Sequence, residues 1–339
     1  MKYNVLVLLL SFLTPLLFAS CDVDFDANDD WHETMLVYGV LDQDNDTNFV
    51  RIEKCFLGKG NYVTFSKQKD SLYYKQEDLQ VSMYAYFVWD TNGWDTTKAE
   101  QKYYLQYTTR YKDTGAFYAD NECPIYFTTK RIYQDLIYHL VIRNKKTGTI
   151  VSASTPIIAD YSITDPTTER LAFSPSKGID DYQITLGWNN KKNSTVQGTV
   201  ATCFQPVLKF NCSNNVKASV VSIPFNYVID TNSSSQRTLS YLVYRSTIVS
   251  KIKAYKDSYP SATLTYNYDN PFDLYIYACT KELKRYIDNN TPNESLTERA
   301  LYTNVTNGIG IFAARRLHIK KSFTSCDNIT QTAIENALK

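Results

Sequence analysis

Residues Leu79–Phe87 read LQVSMYAYF, and this stretch decides the fold class. Every second position carries an apolar side chain: Leu79, Val81, Met83, Ala85 and Phe87. Successive side chains of a strand point to opposite faces, so this alternation places one apolar row on a single face. The stretch therefore predicts a β-strand with one face against a core.

Strand patterns recur along the chain on both sides of this stretch. Residues 35–41 (MLVYGVL) form a short apolar run, and residues 50–56 alternate apolar and polar side chains. Further strands are predicted over residues 102–109, 125–129, 137–143 and 150–153. Seven or so short strands separated by turns are typical of a β-sandwich.

A break over residues 155–166 precedes a second β-rich unit. Strands are predicted there over residues 182–188, 200–210, 217–223, 263–268 and 274–279. Residues 239–252 have apolar side chains at helical spacing, although their Val and Ile content leaves a strand open. A short helix is predicted after Thr280, which would cap it.

These patterns predict a mainly β protein with two β-sandwich, immunoglobulin-like domains and one or two short helices in the second. The content of 28 Tyr and 16 Phe agrees, because aromatic residues favour strands. The predicted segments are a signal peptide (1–20), an acidic tether (21–32), an N-terminal β-sandwich domain (33–158) and a C-terminal β-rich domain (159–339).

The first twenty residues indicate export. Lys2 precedes an interrupted apolar core that is too short and broken for a membrane span. The segment LFASC (17–21) resembles the bacterial lipobox, which implies cleavage before Cys21 and attachment of lipid to its thiol. The alternative is an ordinary secretory signal peptide, which would leave Cys21 as a thiol near the mature terminus.

The residues after Cys21 are acidic. Five aspartates occur without a basic residue among them: Asp22, Asp24, Asp26, Asp29 and Asp30. Such a run predicts a solvated tether. It resembles the signal that sends Bacteroidetes lipoproteins to the outer face of the outer membrane. In an enterobacterium, Asp22 would instead resemble an inner-membrane retention signal.

Five segments together resemble a family of Bacteroidetes (Bacteroidales) surface lipoproteins that has no assigned activity. They are residues 33–41 (ETMLVYGVL), 51–58 (RIEKCFLG), 113–118 (DTGAFY), 147–155 (TGTIVSAST) and 302–315 (YTNVTNGIGIFAAR). The resemblance implies tandem β-sandwiches, lipid anchoring and company with outer-membrane nutrient-uptake systems. It carries over no catalytic residue.

The charge and the cysteine content limit which partners, disulfide bonds and cofactors are expected. The net charge is +1 without a long basic tract, so no nucleic-acid partner is expected. Six cysteines follow Cys21, which permits disulfides in an exported chain, and Cys203 with Cys212 is the most local candidate pair. No two are spaced as C-x-x-C, and no cofactor is expected.

Two groups of residues are candidate sites. Asp42, Asp44, Asp46 and Glu53 fit positions 1, 3, 5 and 12 of a calcium-binding loop, but position 6 is Thr47 instead of Gly. The alternative is a solvated acidic hairpin loop, and no metal is expected.

Trp89 and Trp94 flank a turn signal, Asn92-Gly93, and could stack on sugar rings or a partner protein. The alternative is that at least one indole packs into the edge of the sandwich.

Catalytic motifs are missing from the sequence. Of the three histidines, His32, His139 and His318, none lies in a recognisable nucleophile or zinc motif. We therefore predict a non-catalytic, lipid-anchored outer-membrane protein facing the cell exterior, which interacts with an envelope protein or glycan or assists ligand capture beside a transporter. The alternatives are a fimbria-like or adhesive structural subunit and, third, a glycan-active hydrolase.

Overall fold

A computed structural model describes residues 34–55, 64, 66–87, 89–111, 122–134, 136–190, 203–214, 218–230, 237–290 and 302–339. Cys21, the signal peptide and the acidic tether lie outside the described residues. The predicted mainly β fold class, consistent with β-sandwich architecture, is confirmed.

The described residues of the N-terminal half form eight strands, one short α-helix and two 3-10 helices. The strands are β1 (Thr34–Leu41), β2 (Asn48–Cys55), β3 (Leu79–Phe87), β4 (Gln101–Tyr104), β5 (Gln106–Tyr111), β6 (Glu122–Thr128), β7 (Leu136–Asn144) and β8 (Ile150–Pro156). The helix α1 covers Lys69–Leu72, and short 3-10 helices cover Gln76–Asp78 and Asn92–Trp94.

The C-terminal half adds the remaining elements. Its strands are β9 (Tyr161–Asp165), β10 (Arg170–Leu171), β11 (Ser174–Pro175), β12 (Tyr182–Asn190), β13 (Cys203–Asn214), β14 (Ala218–Pro224), β15 (Val228–Ile229), β16 (Arg237–Tyr244), β17 (Leu264–Tyr266), β18 (Phe272–Cys279), β19 (Val305–Thr306), β20 (Gly308–Phe323) and β21 (Ser325–Cys326). Its helices are α2 (Arg245–Ser258), α3 (Lys281–Asn290) and α4 (Asn328–Ala337).

One large sheet runs through both halves. Its order is β14-β13-β18-β20-β1-β2-β6-β5, and β15 and β17 also pair with β13. A five-stranded sheet, β19-β8-β7-β3-β4, belongs mainly to the N-terminal half, whereas β9, β11, β12 and β16 form a four-stranded sheet in the C-terminal half. Val37, Met83 and Leu140 are buried in the core between the first two sheets.

The long strand β20 joins the two halves. Residues 308–314 pair in parallel with β1, and residues 315–323 pair in antiparallel with β18. In addition, β19 pairs with β8 of the five-stranded sheet. The domain boundary at residues 158 and 159 stays a prediction, but these pairings show that a C-terminal segment completes both N-terminal sheets.

Two secondary-structure predictions need correction. Residues 239–252 do not form one helix. The residues up to Tyr244 belong to strand β16, which pairs with β12, and the helix α2 begins at the next residue, Arg245. The C-terminal half has three helices among its described residues instead of one or two. The unpredicted helix α4 begins after Asp327, whose carboxylate accepts a hydrogen bond from the Thr330 amide.

Gly310 is required where β20 meets β1. Its φ is +124°, and a Cβ added there would lie 2.0 Å from the Val37 carbonyl oxygen. A methyl group at this position would therefore clash with the backbone of the neighbouring strand, which cannot move without breaking the ladder.

We expect Gly310→Ala to lower the free energy of unfolding by about 3 kcal/mol or more, as judged from urea unfolding. Gly148→Ala is the control, because Gly148 also has a positive φ of +75° but has no atom within 4 Å of the added Cβ. The control should cost about 1 kcal/mol. Equal losses for the two variants would contradict the proposed backbone clash.

Candidate functional site

The sandwich is open at one edge, where the chain crosses from one sheet to the other. Residues 102–109 were predicted as one strand, but β4 pairs with β3 of the five-stranded sheet and β5 pairs with β6 of the ten-stranded sheet. Leu105 is the single residue between them, and its amide donates to the Val81 carbonyl at 3.1 Å. The prediction of a single strand is therefore wrong, since the change of sheet breaks it.

A groove of about 660 Å³ lies at this crossing, and we call it the crossover groove. Facing sheets lie roughly 10 Å apart, so a chain that changes sheets leaves space beside it. The lining residues are Gln76, Leu79, Gln80, Val81, Tyr104, Leu105, Gln106, Tyr107, Tyr126 and Lys145. The volume is within the range of small-molecule binding sites.

Three tyrosines give the crossover groove its aromatic surface. Tyr104 is 66% exposed, whereas Tyr126 is buried at the base of the crossing strands. Tyr107 lies between these extremes, and its ring is nearly perpendicular to that of Tyr126, at 77° with 5.7 Å between centroids. The edge-to-face contact holds the Tyr107 ring in one orientation.

The Tyr126 hydroxyl is buried and has no hydrogen-bond partner among the described residues. Burial raises the pKa of Tyr126 above its usual value, so the hydroxyl keeps its proton. An unpartnered buried hydroxyl costs about 1–3 kcal/mol.

Amide and ammonium groups supply the polar contacts of the crossover groove. Gln76, Gln80 and Gln106 are exposed, and each amide both donates and accepts hydrogen bonds. Lys145 is held at the rim because its amide donates to the Asp78 carbonyl at 2.8 Å. The next residue, Lys146, forms an ion pair with the Asp78 carboxylate at 2.8 Å.

Among the residues that the structure describes, none that lines the crossover groove is Asp, Glu, His, Ser or Cys. Glycoside hydrolysis generally requires two carboxyl groups beside the scissile bond, and acyl transfer requires an activated nucleophile. The described lining itself supplies stacking and hydrogen bonding.

A smaller pocket of about 190 Å³ adjoins the crossover groove. Tyr107 lines both, and the smaller pocket also has Tyr73, Tyr74, Thr109 and two carboxylate residues, Asp70 and Glu122, in its lining.

The predicted pair Trp89 and Trp94 lies outside the crossover groove, in the segment that follows β3. Trp94 stacks on His139, with 4.4 Å between centroids, and meets the edge of Tyr86. Trp89 stacks on Phe87 and is 57% exposed. The structure thus packs one indole onto the sheet and leaves the other at the surface, and their role in ligand or partner contact stays a prediction.

The turn that holds these indoles is not the tight hairpin that Asn92-Gly93 suggested. Strands β3 and β4 do form a hairpin, but residues 88–100 connect them. Asn92, Gly93 and Trp94 all have positive φ, between 48° and 63°. This run of left-handed residues turns the Trp94 side chain back onto the sheet.

The structure does not assemble a calcium site from Asp42, Asp44, Asp46 and Glu53. Asp44 accepts a hydrogen bond from Arg316 at 2.9 Å, and Glu53 lies 3.4 Å from Arg51. Asp42 is buried, which raises the pKa of its carboxyl group, and Asp46 is exposed. In the part of the chain that the structure describes, no group of three or more His, Cys, Asp or Glu side chains is placed to hold a metal ion.

His139 contacts a potential nucleophile, because its Nδ1 lies 2.8 Å from the Ser154 hydroxyl. Burial lowers the pKa of His139 to about 4, so the imidazole is neutral and weakly basic at neutral pH. An efficient general base has a pKa near the working pH, and no carboxylate is seen to orient the ring. The pair is therefore a structural hydrogen bond beneath Trp94.

No protein-family model and no curated protein matches this chain. The family resemblance of the five segments therefore stays a prediction, and function is argued from the site. Within the described ranges, no helix is both long and apolar enough to cross a membrane.

We expect the stability of the protein to fall as the pH drops from about 6.5 to about 4. His139 has a folded-state pKa of about 4 and an unfolded value near 6.5, so the unfolded chain binds the extra proton in this window. His139→Gln should reduce this loss of unfolding free energy by about 2 kcal/mol. Urea unfolding at pH 7 and pH 4.5 measures it, and an unchanged pH dependence in the variant would contradict the assignment.

Proposed function

We propose that this chain is a non-catalytic, lipid-anchored protein of the outer-membrane surface that captures an oligosaccharide in the crossover groove. The observation that carries the proposal is the groove itself, whose described lining combines tyrosine rings with glutamine amides. In this proposal the acylated Cys21 anchors the protein, and the aspartate-rich tether holds the body away from the membrane.

Sugars suit the chemistry of the crossover groove. The C–H faces of a sugar ring pack on exposed aromatic rings such as Tyr104, and its hydroxyl groups both donate and accept, as the glutamine amides do. Lys145 adds one positive charge at the rim, which favours a neutral or weakly acidic glycan. The adjoining pocket beyond Tyr107 favours a chain of sugars over a single ring.

A surface protein with this binding chemistry fits an accessory role in ligand capture. The family resemblance implies that the protein acts beside a nutrient-uptake transporter. The captured glycan would be passed to that transporter. That hand-over is part of the proposal.

The second candidate function, a fimbria-like or adhesive subunit, is favoured by the sheet edges. Strands β5 and β14 form the two ends of the ten-stranded sheet, and an edge strand can pair with a strand of another chain. Size-exclusion chromatography separates the two functions, because assembly by strand addition gives polymers and glycan capture does not require them.

Glycan binding should be measured by isothermal titration of the mature protein in detergent with a panel of neutral and acidic oligosaccharides. We expect Tyr104→Ala to weaken binding about tenfold and Tyr107→Ala to weaken it severalfold, both through lost stacking. Tyr111→Ala is the matched control, because Tyr111 is 74% exposed on β5 but does not line the groove.

Binding to no member of the panel, or an equal loss for Tyr111→Ala, would contradict capture in the crossover groove. Unchanged affinity in both groove variants, alongside clear binding by the wild type, would place the glycan elsewhere, with Trp89 as the next residue to replace.

Lipid anchoring is tested separately by growth with labelled fatty acid. We expect the label to join the wild-type protein and to be lost in Cys21→Ser, because only the Cys21 thiol is in position to accept the lipid. Cys55→Ser is the control and should keep the label. A wild-type protein without label would remove the proposed anchor.

A further inference from the structure

Two cysteines face each other across neighbouring strands in the C-terminal half. In the antiparallel pairing of β13 with β18, Cys203 is the register partner of Cys279. Side chains of directly opposite residues lie on the same face of a sheet, with Cα atoms about 4.5–5.5 Å apart. That separation is within the range of disulfide-bonded cysteines, roughly 4.4–6.8 Å.

The two thiols already contact each other. A hydrogen bond with Cys203, together with burial, raises the pKa of the Cys279 thiol. Cys203 is 2% exposed and Cys279 is 7% exposed, so the pair lies beneath the surface. The charged groups that influence Cys279 come from the following helix α3: Lys284, which favours the thiolate, and Asp288, which opposes it.

The side chains that cover these two thiols are themselves only partly buried. Tyr227, which precedes β15, is electrostatically coupled to both thiols, and its ring lies 4.8 Å from the Lys284 ammonium group. Both residues are only partly buried. Cys279 is also the last residue of β18, where the strand gives way to α3.

We propose that Cys203 and Cys279 are an oxidation site, at which a small-molecule disulfide such as glutathione disulfide converts the two thiols into a cross-strand disulfide bond. The pairing is independent of glycan capture, although the exported location proposed above would provide the oxidising surroundings in which it forms.

The chemistry balances through a mixed disulfide. One thiol of the pair loses its proton and, as the thiolate, attacks the oxidant, which forms one sulfur–sulfur bond and releases one small thiol. The sulfur of the second cysteine, after loss of its proton, attacks the protein sulfur of this mixed disulfide and releases the second small thiol. Two cysteines are oxidised, one external disulfide is reduced, and the protein loses two hydrogen atoms.

The predicted local bridge between Cys203 and Cys212 is wrong, because both lie on the continuous strand β13. Nine residues of extended chain separate their Cα atoms by about 30 Å. Other cysteines have different partners: the Cys326 sulfur lies 3.4 Å from the Tyr266 hydroxyl, and the Cys123 sulfur lies 3.8 Å from the Glu53 carboxylate.

The test is peptide mapping of the full chain in detergent. The reduced protein is incubated with excess glutathione disulfide, denatured, labelled with a maleimide and digested without reductant. We expect a linked pair of peptides containing Cys203 and Cys279, lighter by two hydrogen atoms, while Cys212 carries the maleimide. Cys212→Ser should keep the link, and Cys279→Ser should lose it.

Maleimide on both Cys203 and Cys279 after oxidation of the folded wild type would overturn the proposal, provided that the same chain in urea does oxidise. A glutathione adduct on Cys279 without the link, or a link from Cys203 to another cysteine, would also overturn it. The peptide map of the wild-type protein tests the proposed disulfide bond even if Cys279→Ser fails to fold. The result is independent of the glycan titration, so the two proposals fail separately.

Discussion

The parallel pairing of β1 with the first half of β20 is the constraint on which the rest of the structure depends. It runs from Met35 opposite Gly308 to Leu41 opposite Ala314 and places the two halves of the chain in one sheet. A glycine on each strand makes the approach possible: Gly310 beneath the Val37 carbonyl, and Gly39, where a Cβ would lie 2.8 Å from the Phe312 ring. Without this ladder, the N-terminal strands and β18 would belong to separate sheets.

A buried arginine marks the point where β20 changes partners. The Arg316 guanidinium lies 2.9 Å from Asp44, in the turn after β1, and 2.5 Å from Asp160, which precedes β9, and both carboxylates are partly exposed. The Tyr161 hydroxyl lies 2.8 Å from the carbonyl oxygens of both Ile276 and Arg316. A buried guanidinium without its carboxylate partners is costly, so these contacts favour a single register at the seam. Asp44, one of the carboxylates that suggested calcium, therefore serves the joining of the two halves.

The sequence predicted the elements with strong periodicity and failed where the chain changes sheet. Alternation located β3 at its observed bounds, because Leu79, Val81, Met83 and Ala85 form one continuous buried row. No Gly or Pro lies at or beside Leu105, so no turn signal in the sequence indicated that the strand divides there into β4 and β5. The crossover groove could not be foreseen either, since its residues come from separate segments that only the sheet pairing brings together. For Trp94, the sequence located the turn but not its left-handed run, which decides where the indole packs.

The position of β20 also governs the order in which the protein is assembled. Residue 308 is synthesised long after its register partner Met35, so one edge of β1 has no partner until then. Contacts between such distant parts of a chain slow folding, and open strand edges invite association with other molecules. A polypeptide that ends prematurely, before residue 308, would retain that open edge permanently. The N-terminal half is therefore not a self-sufficient module, and quality control of the polypeptide rests on the segment that carries β20.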